Sequence, residues 1–226
     1  LDFPVKRVLV NLSPADIKKK GSSFDLGIFL GILSNIGKIR NIENFKNYLI
    51  LGEISLNGEV KSVKGAINAT ILAKEKGIRG VIIPYENYDE ACLISGVEIV
   101  PVSKIEEAVN FLNGKISLDE LHKSMKEKMN LKKNEKSKSN KEEKNEVDFS
   151  DVKGQFLAKR AMEIAAAGGH NIFLMGDPGS GKSMLAKRFV TILPEMSEKE
   201  IIETTKIYSV SGMLSCENPI ITERPF

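Results

Sequence analysis

The segment NIFLMGDPGSGKSMLAKRF, residues 171–189, decides the fold of the second half of this chain. Residues 171–175 form an apolar run suited to a central strand of a parallel sheet. Residues 176–183, GDPGSGKS, fit the pattern G-x-x-x-x-G-K-[ST]. Residues 184–193 predict a helix that stops at Pro194. A strand, a glycine-rich loop and a helix in this order predict a loop that binds phosphate groups.

The residues of this loop have complementary roles in holding a phosphate chain. Glycines let the backbone wrap with its N–H groups turned inward, and the following helix adds its positive end. Lys182 is predicted to reach the β- and γ-phosphates, and the hydroxyl of Ser183 is predicted to bind Mg²⁺. A glycine-rich structural turn is the alternative interpretation. The predicted binding residues of the loop are Gly176, Asp177, Pro178, Gly179, Ser180, Gly181, Lys182 and Ser183.

Nucleotide hydrolysis needs further groups: an acid for Mg²⁺, a residue that polarises water and an arginine finger. After Ser183 no apolar strand leads to an acidic pair, because residues 220–221 are too short a run and precede Glu223 and Arg224. The chain also starts at Leu1 rather than at a methionine. We therefore expect a fragment without a complete catalytic set, which binds nucleotide weakly and does not turn it over.

The basic character of the chain is concentrated between residues 122 and 146, which hold nine lysines and five glutamates in a protein of net charge +3. Apolar residues are nearly absent after Leu131, a composition typical of a disordered linker. The predicted organisation is a domain at 1–115, a basic disordered linker at 116–147 and a domain at 148–226. The lysines are candidates for contact with nucleic acid, and a solvated tether is the alternative.

Cysteine and histidine are rare, with two of each in 226 residues. These numbers are too small for a disulfide framework or a histidine-based metal site, and reduced thiols in a cytoplasm are expected. No apolar run is long enough to cross a bilayer. We expect a cytoplasmic protein without a structural metal and without a membrane partner.

The first half of the chain alternates predicted strands and helices, which is typical of an α/β or α+β domain. Asn57-Gly58 predicts a hairpin turn between two of the strands. The predicted strands are 6–12, 48–51, 54–56, 59–63, 81–83 and 97–100, and the predicted helices are 24–36, 66–76, 86–93 and 104–112. In the second half, a further helix is predicted at 156–167.

Residues 148–189 resemble the magnesium-chelatase-like AAA+ ATPases of bacteria, the ComM or YifB competence-protein family. The residues upstream of the loop that carry the resemblance are Asp151, Gly154, Gln155 and 165–171, AAAGGHN. In that family this segment lies against the adenine side of the nucleotide, so the resemblance implies that Val152 and Gln155 contact it. Helix packing is the alternative. The implied cofactors are ATP and Mg²⁺.

The first domain resembles the N-terminal half of the same family, which is similar to the proteolytic domain of Lon. The stretches that carry this resemblance are 10–16, VNLSPAD; 21–33, GSSFDLGIFLGIL; 52–69, GEISLNGEVKSVKGAINA; and 81–87, VIIPYEN. The implied fold class is α/β: a Lon-protease-like α+β domain, N-terminally incomplete, followed by the N-terminal part of a P-loop AAA+ α/β domain of the magnesium chelatase type, C-terminally truncated.

Ser23 is the residue on which a protease interpretation depends. Lon-type proteases use a serine activated by a neutral lysine. By resemblance, Ser23 falls at the nucleophile position and Ile67 at the lysine position, and isoleucine cannot accept a proton. Lys64 lies three residues earlier, before the predicted helix. We therefore predict that the domain is not a peptidase and that Ser23 caps the helix at 24–36.

The family resemblance implies a DNA motor driven by ATP hydrolysis, which acts in branch migration during recombination and natural transformation. It also implies a hexameric ring of identical subunits in the full-length protein. The alternatives are a magnesium chelatase subunit, a protein-remodelling factor, an ATP-dependent protease, which Ile67 disfavours, and a RadA-like recombination protein, which the domain order disfavours. Residues 1–115 are also interpretable as a module that docks a partner or enforces ring assembly.

Overall fold

The computed structural model describes residues 7–12, 21–136, 147–215 and 217–226, without the side chains of 131–136. Its contacts divide the chain into two units. Unit 1 consists of Leu1–Ser139 and Ile202–Ile220, and unit 2 of Asn140–Ile201 and Ile221–Phe226. Residues 202–220, which lie beyond the first predicted domain, therefore belong to unit 1.

The described part of unit 1 is a mixed α/β structure with a parallel sheet, in agreement with the predicted class. Its elements in chain order are α1 (Asp25–Asn35), α2 (Ile42–Lys46), β1 (Tyr48–Ile50), β2 (Glu53–Ile54), β3 (Val60–Lys61), α3 (Ala66–Glu75), β4 (Gly80–Pro84), α4 (Tyr88–Cys92), β5 (Glu98–Val102), α5 (Ile105–Leu112) and α6 (Leu118–Lys136). In the second half of the chain the helices are α7 (Phe156–Gly168), α8 (Lys182–Phe189) and α9 (Glu198–Ser211), and α9 crosses the boundary between the units at residues 201 and 202.

The parallel sheet has the order β1-β4-β5, with β4 buried along its whole length. Because successive side chains of a strand point to opposite faces, β4 serves two apolar clusters. Ile82 packs with residues of α1 and α5, while Val81 and Ile83 pack with residues of α3 and α4. Both faces are therefore covered by helices, as expected for a parallel sheet. Strands β2 and β3 form the predicted hairpin, with Gly58 at φ +80° in the turn.

Helix α1 shows how the pattern of leucines selects the buried face. Leu26, Leu30 and Leu33 are spaced by four and three residues, so they share one face of the helix. All three are buried in the cluster that also contains Phe111 and Leu112 of α5. The opposite face of α1 is less buried and includes the exposed Phe24 at its start.

The prediction of a disordered linker is wrong for residues 118–136, which form α6. Leu121 and Met125 are buried, and α6 packs along β5. The ammonium of Lys128 donates to Glu107 at 2.7 Å. Burial alone would raise the pKa of Glu107, but this bond and those from Ser103 lower it below its usual value. Leu121 and Met125, four positions apart, and the ion pair of Lys128 therefore attach an otherwise polar helix to the rest of unit 1. Residues 137–146 of the predicted linker lie outside the described residues.

Two predicted strands are not formed in the described residues. Residues 7–12 have no strand pairing, and neither do residues 171–175. The second segment does show strand-like alternation, since Ile172 and Leu174 pack on the core of unit 2 while Phe173 and Met175 are 86% and 88% exposed. A strand needs a hydrogen-bonded neighbour, and no described segment pairs with this one. No helix among the described residues is both long and apolar enough to span a bilayer.

Candidate functional site

The glycine-rich loop leads directly into α8, whose first residue is Lys182. Gly179 and Gly181 have φ values of +85° and +80°, in the left-handed region that favours glycine. The N–H of Ser180 donates to the carbonyl of Asp177 at 3.2 Å and closes a turn. The loop is therefore a tight bend that ends at a helix N-terminus, where the first N–H groups have no partner within the helix.

Lys182 extends back across the loop that precedes it. Its ammonium donates to the carbonyls of Gly176 and Asp177, at 2.8 Å each, and to the hydroxyl of Ser180 at 3.2 Å. The three acceptors that position this ammonium group beside the bend are all uncharged. Ser183 is exposed in the first turn of the same helix. A bound anion is a stronger partner for this ammonium than a carbonyl, because both partners are then charged.

Of the two predicted residues upstream, Gln155 reaches the loop. Its side-chain Nε2 donates to the carbonyl of Ser180 at 3.3 Å. The side chain of Val152 is 2% exposed and lies in the core of unit 2 with Phe149 and Met162. The structure therefore places the Gln155 side chain against the loop, whereas the Val152 side chain is packed in the core of unit 2. Leu185 of α8 joins the same core and anchors the helix that follows the loop.

The prediction that Ser23 caps α1 is wrong. The N-cap residue is Phe24, and no side chain caps the helix. The carbonyl of Ser23 instead accepts the N–H of Gly52 at 2.9 Å, and the carbonyl of Gly52 accepts the N–H of Leu26 at 3.0 Å. These two bonds tie the start of α1 to the segment after β1 and place Ser23 before the N-cap. The neighbouring hydroxyl, that of Ser22, donates to Glu53.

The two residues at or near the predicted lysine position are engaged in other contacts. Ile67 is fully buried in α3. The ammonium of Lys64 donates to the carbonyl of Ser211 at 3.3 Å and lies against Gly212. Lys64, three residues before Ile67, is therefore engaged with the last residue of α9 and with the glycine that follows it.

Sequence reasoning missed a buried carboxylate in unit 1, that of Glu90. It is 3% exposed, and it accepts hydrogen bonds from the amide of Asn87 at 2.6 Å and from the hydroxyl of Ser209 at 2.5 Å. Burial raises the pKa of Glu90 above its usual value, and the bonds from Ser209 and Asn87 oppose the shift. The only local signal was Asn87 three positions earlier, because Ser209 lies 119 residues away.

Comparison with known proteins identifies both halves of the chain. Residues 148–226 match the family model described as magnesium chelatase, subunit ChlI. Residues 1–87 match a second model, described as subunit ChlI of Mg-chelatase.

Curated relatives cover almost the whole chain. Competence protein ComM of Haemophilus influenzae is 40% identical over 225 residues, which are 99% of this chain and 42% of that protein. The uncharacterized protein YifB of Escherichia coli is 33% identical over 225 residues, 100% of this chain and 41% of that protein. Lon protease 2 of Bacillus subtilis is 41% identical over 99 residues, 43% of this chain and 17% of that protein.

The chain thus spans about two fifths of the length of ComM and YifB. This chain matches both ChlI models, one in each half. ComM and YifB align with the chain across both matched regions. The chain belongs to the ComM/YifB-like family of magnesium-chelatase ChlI-type proteins.

Proposed function

We propose that residues 176–183 bind ATP together with Mg²⁺, and that the complete protein is an AAA+ ATPase of the ComM/YifB type. The observation that carries this proposal is the position of Lys182. Its ammonium lies over a glycine-rich bend, at the N-terminus of α8, with carbonyls and a hydroxyl as its partners. A phosphate chain in this bend would receive backbone N–H groups, the positive helix end and the lysine charge together.

Each part of the loop has a role in this proposal. Lys182 exchanges its carbonyl partners for the β- and γ-phosphates. Ser183, exposed one position later, offers its hydroxyl to Mg²⁺, which neutralises phosphate charge when it is bound. The backbone of Gly179 and Gly181 approaches the phosphates without a side chain in between. Gln155 and Val152 remain the candidates for contact with the base, although the Val152 side chain has little exposed surface.

The proposed role of the complete protein is that of a DNA motor in branch migration, as a homohexameric ring in the cytoplasm. It is supported by the resemblance to a relative named competence protein and by the lysine-rich stretch at 122–146. Sequence-independent contacts of lysines with phosphates would make such binding depend on salt. This role does not depend on peptidase chemistry: by resemblance Ile67 stands at the lysine position, and its side chain is fully buried.

A second candidate is a magnesium chelatase subunit or a protein-remodelling ATPase. The descriptions of both matching family models favour the chelatase subunit. The two candidates share the nucleotide site and differ in what the motor acts on.

The experiment measures ATP hydrolysis by the complete protein with and without forked or four-way DNA, with Lys182→Ala as the inactive control. Strong stimulation by DNA that is lost in the variant supports the motor. Hydrolysis that is indifferent to DNA would overturn branch migration and favour the second candidate. Absence of nucleotide binding in the wild type would refute the site itself.

A further inference from the structure

Gln155 has an unusual backbone conformation. It is the one non-glycine residue with positive φ among the described residues, at +52°. It follows Gly154, which is also left-handed at +69°. Glycine tolerates this region freely, whereas a residue with a Cβ pays a steric cost there, and such residues are concentrated at functional sites. Something in the surrounding structure must therefore hold Gln155 in place.

The side chain of Gln155 shows what this conformation achieves. As the N-cap residue of α7, Gln155 points its amide at the loop, and Nε2 donates to the carbonyl of Ser180. The same Nε2 would lie only 3.1 Å from a Cβ built on Gly181. The amide therefore packs directly on the peptide between Ser180 and Gly181, in the space that a side chain at position 181 would need.

This contact fixes the direction of one N–H group. In a trans peptide the carbonyl and the N–H point to opposite sides. With the carbonyl of Ser180 turned toward Gln155, the N–H of Gly181 is turned away from Gln155. Loops of this pattern bind phosphate through such N–H groups, so the orientation of this peptide matters for the affinity of the site.

We propose that Gln155 is a positioning residue for the phosphates: its amide holds the Ser180–Gly181 peptide so that the N–H of Gly181 is directed to the bound phosphate chain. This inference rests on the proposed nucleotide site and assigns Gln155 a part in it that does not depend on the base. A residue that contacts adenine discriminates between ATP and GTP. A residue that orients the loop affects both equally, and affects inorganic tripolyphosphate as well.

The experiment measures the dissociation constants of ATP, GTP and inorganic tripolyphosphate, each with Mg²⁺, for the complete protein and its variants. Gln155→Met keeps the length of the side chain and removes the donor, and Gln155→Ala removes the whole amide arm. We expect both variants to weaken all three ligands by about the same factor, on the order of tenfold at most, as for the loss of one hydrogen bond. Glu163→Ala, on the exposed face of α7, is the control and should change none of the three.

The outcomes separate this inference from the proposed function. If ATP binding alone is weakened, or the ratio of ATP to GTP affinity changes while tripolyphosphate binds as before, Gln155 contacts the base and the inference is overturned. Unchanged binding of all three ligands would overturn it equally. Failure of the wild type to bind any of the three would instead refute the nucleotide site. The thermal unfolding midpoint of each variant, compared with the wild type, shows that a loss of affinity is not a loss of fold.

Discussion

The hydroxyl of Ser209 donates to a carboxylate oxygen of Glu90 at 2.5 Å, and both side chains are buried in unit 1. The same hydroxyl oxygen accepts the N–H of Gly65 at 3.0 Å. Asn87 completes the network, since its amide bonds the N–H and the carbonyl of Val63 at 2.9 Å and 2.8 Å. One carboxylate thus links the start of α3, the helix α4 and the end of α9.

Glu90→Ala is expected to lower the free energy of unfolding by about 3 kcal/mol, because it leaves several buried donors without an acceptor. Hydrogen exchange at the amide of Gly65 should report the loss locally, since this N–H donates to the hydroxyl oxygen of Ser209, which in turn donates to Glu90. Glu75→Ala, at an exposed position of α3, is the matched control and should change stability by less than about 0.5 kcal/mol. Equal protection of Gly65 in wild type and Glu90→Ala would contradict this account.

Glu90→Gln tests the pH dependence of the same network. The pKa of Glu90 is raised in the folded state, so the folded protein binds the proton more tightly than the unfolded chain. The wild type should therefore lose stability relative to Glu90→Gln as the pH rises from about 4.5, the ordinary value, through the raised pKa. The difference in thermal unfolding midpoint between the two proteins, measured from pH 4 to pH 8, checks the sign. If the wild type instead becomes more stable relative to Glu90→Gln as the pH rises, the folded state favours the ionised carboxylate and the predicted sign is wrong.

Lys182→Ala is expected to abolish measurable nucleotide binding, or to weaken it by at least a hundredfold, without lowering the unfolding midpoint. The physical reason is that the bonds of Lys182 to two loop carbonyls hold a positive charge beside the proposed phosphate site, and alanine removes this charge. Lys187→Ala removes the same charge from an exposed position of the same helix and should leave affinity within about twofold. Titration with a fluorescent ATP analogue measures the affinity of both variants. An equal loss of affinity in the two would show that Lys182 contributes only through the net charge of the helix and not through a specific contact.

Gly80→Ala is expected to destabilise unit 1 by about 2 kcal/mol or more. A Cβ at this position would collide with the carbonyl oxygen of Glu98 and lie 2.9 Å from the ring of Tyr48, on the two strands that flank β4. Gly31→Ala in α1 is the matched control, because a Cβ there meets nothing within 4 Å. Alanine is a better helix former than glycine, so the control should stabilise by about 0.5–1 kcal/mol. Urea unfolding of both variants tests the opposite signs.

Met125→Ala is expected to release α6 from the sheet, at a cost of about 3 kcal/mol for the lost buried side chain. Hydrogen exchange of the α6 amides should be slow in the wild type and fast in the variant. Lys126→Ala changes the adjacent exposed residue and should leave exchange as it is. Fast exchange along α6 in the wild type would restore the interpretation of this stretch as an unfolded linker.

Ser23→Ala is expected to leave any activity of the complete protein unchanged. The hydroxyl is not a cap of α1, and the bond that ties Ser23 to Gly52 uses the backbone carbonyl, which alanine retains. ATP hydrolysis and casein cleavage, measured side by side for wild type and variant, check this. A peptidase activity that disappears in Ser23→Ala would overturn the interpretation of Ile67.

Local patterns in the sequence were sufficient where the physics is local. The apolar run at 24–36 predicted a helix where α1 forms, and Asn57-Gly58 predicted the hairpin. The glycine-rich stretch predicted the bend that ends at α8, because positive φ angles and a helix start depend on neighbouring residues. The same reasoning found the alternating strands and helices of unit 1.

Tertiary structure alone decided the rest, because contacts distant in sequence leave no periodic signal. Nothing in the polar sequence of α6 reveals that Met125 is buried or that Lys128 pairs with Glu107, so the composition predicts a disordered stretch. The partnership of Glu90 and Ser209 spans 119 residues. The residue type of Ser23 predicts a helix cap. In the structure its carbonyl accepts the N–H of Gly52, and the helix begins after Ser23 without a side-chain cap. In each case the sequence determined which groups are available, and the energy of burial and hydrogen bonding in the folded chain determined which of them meet.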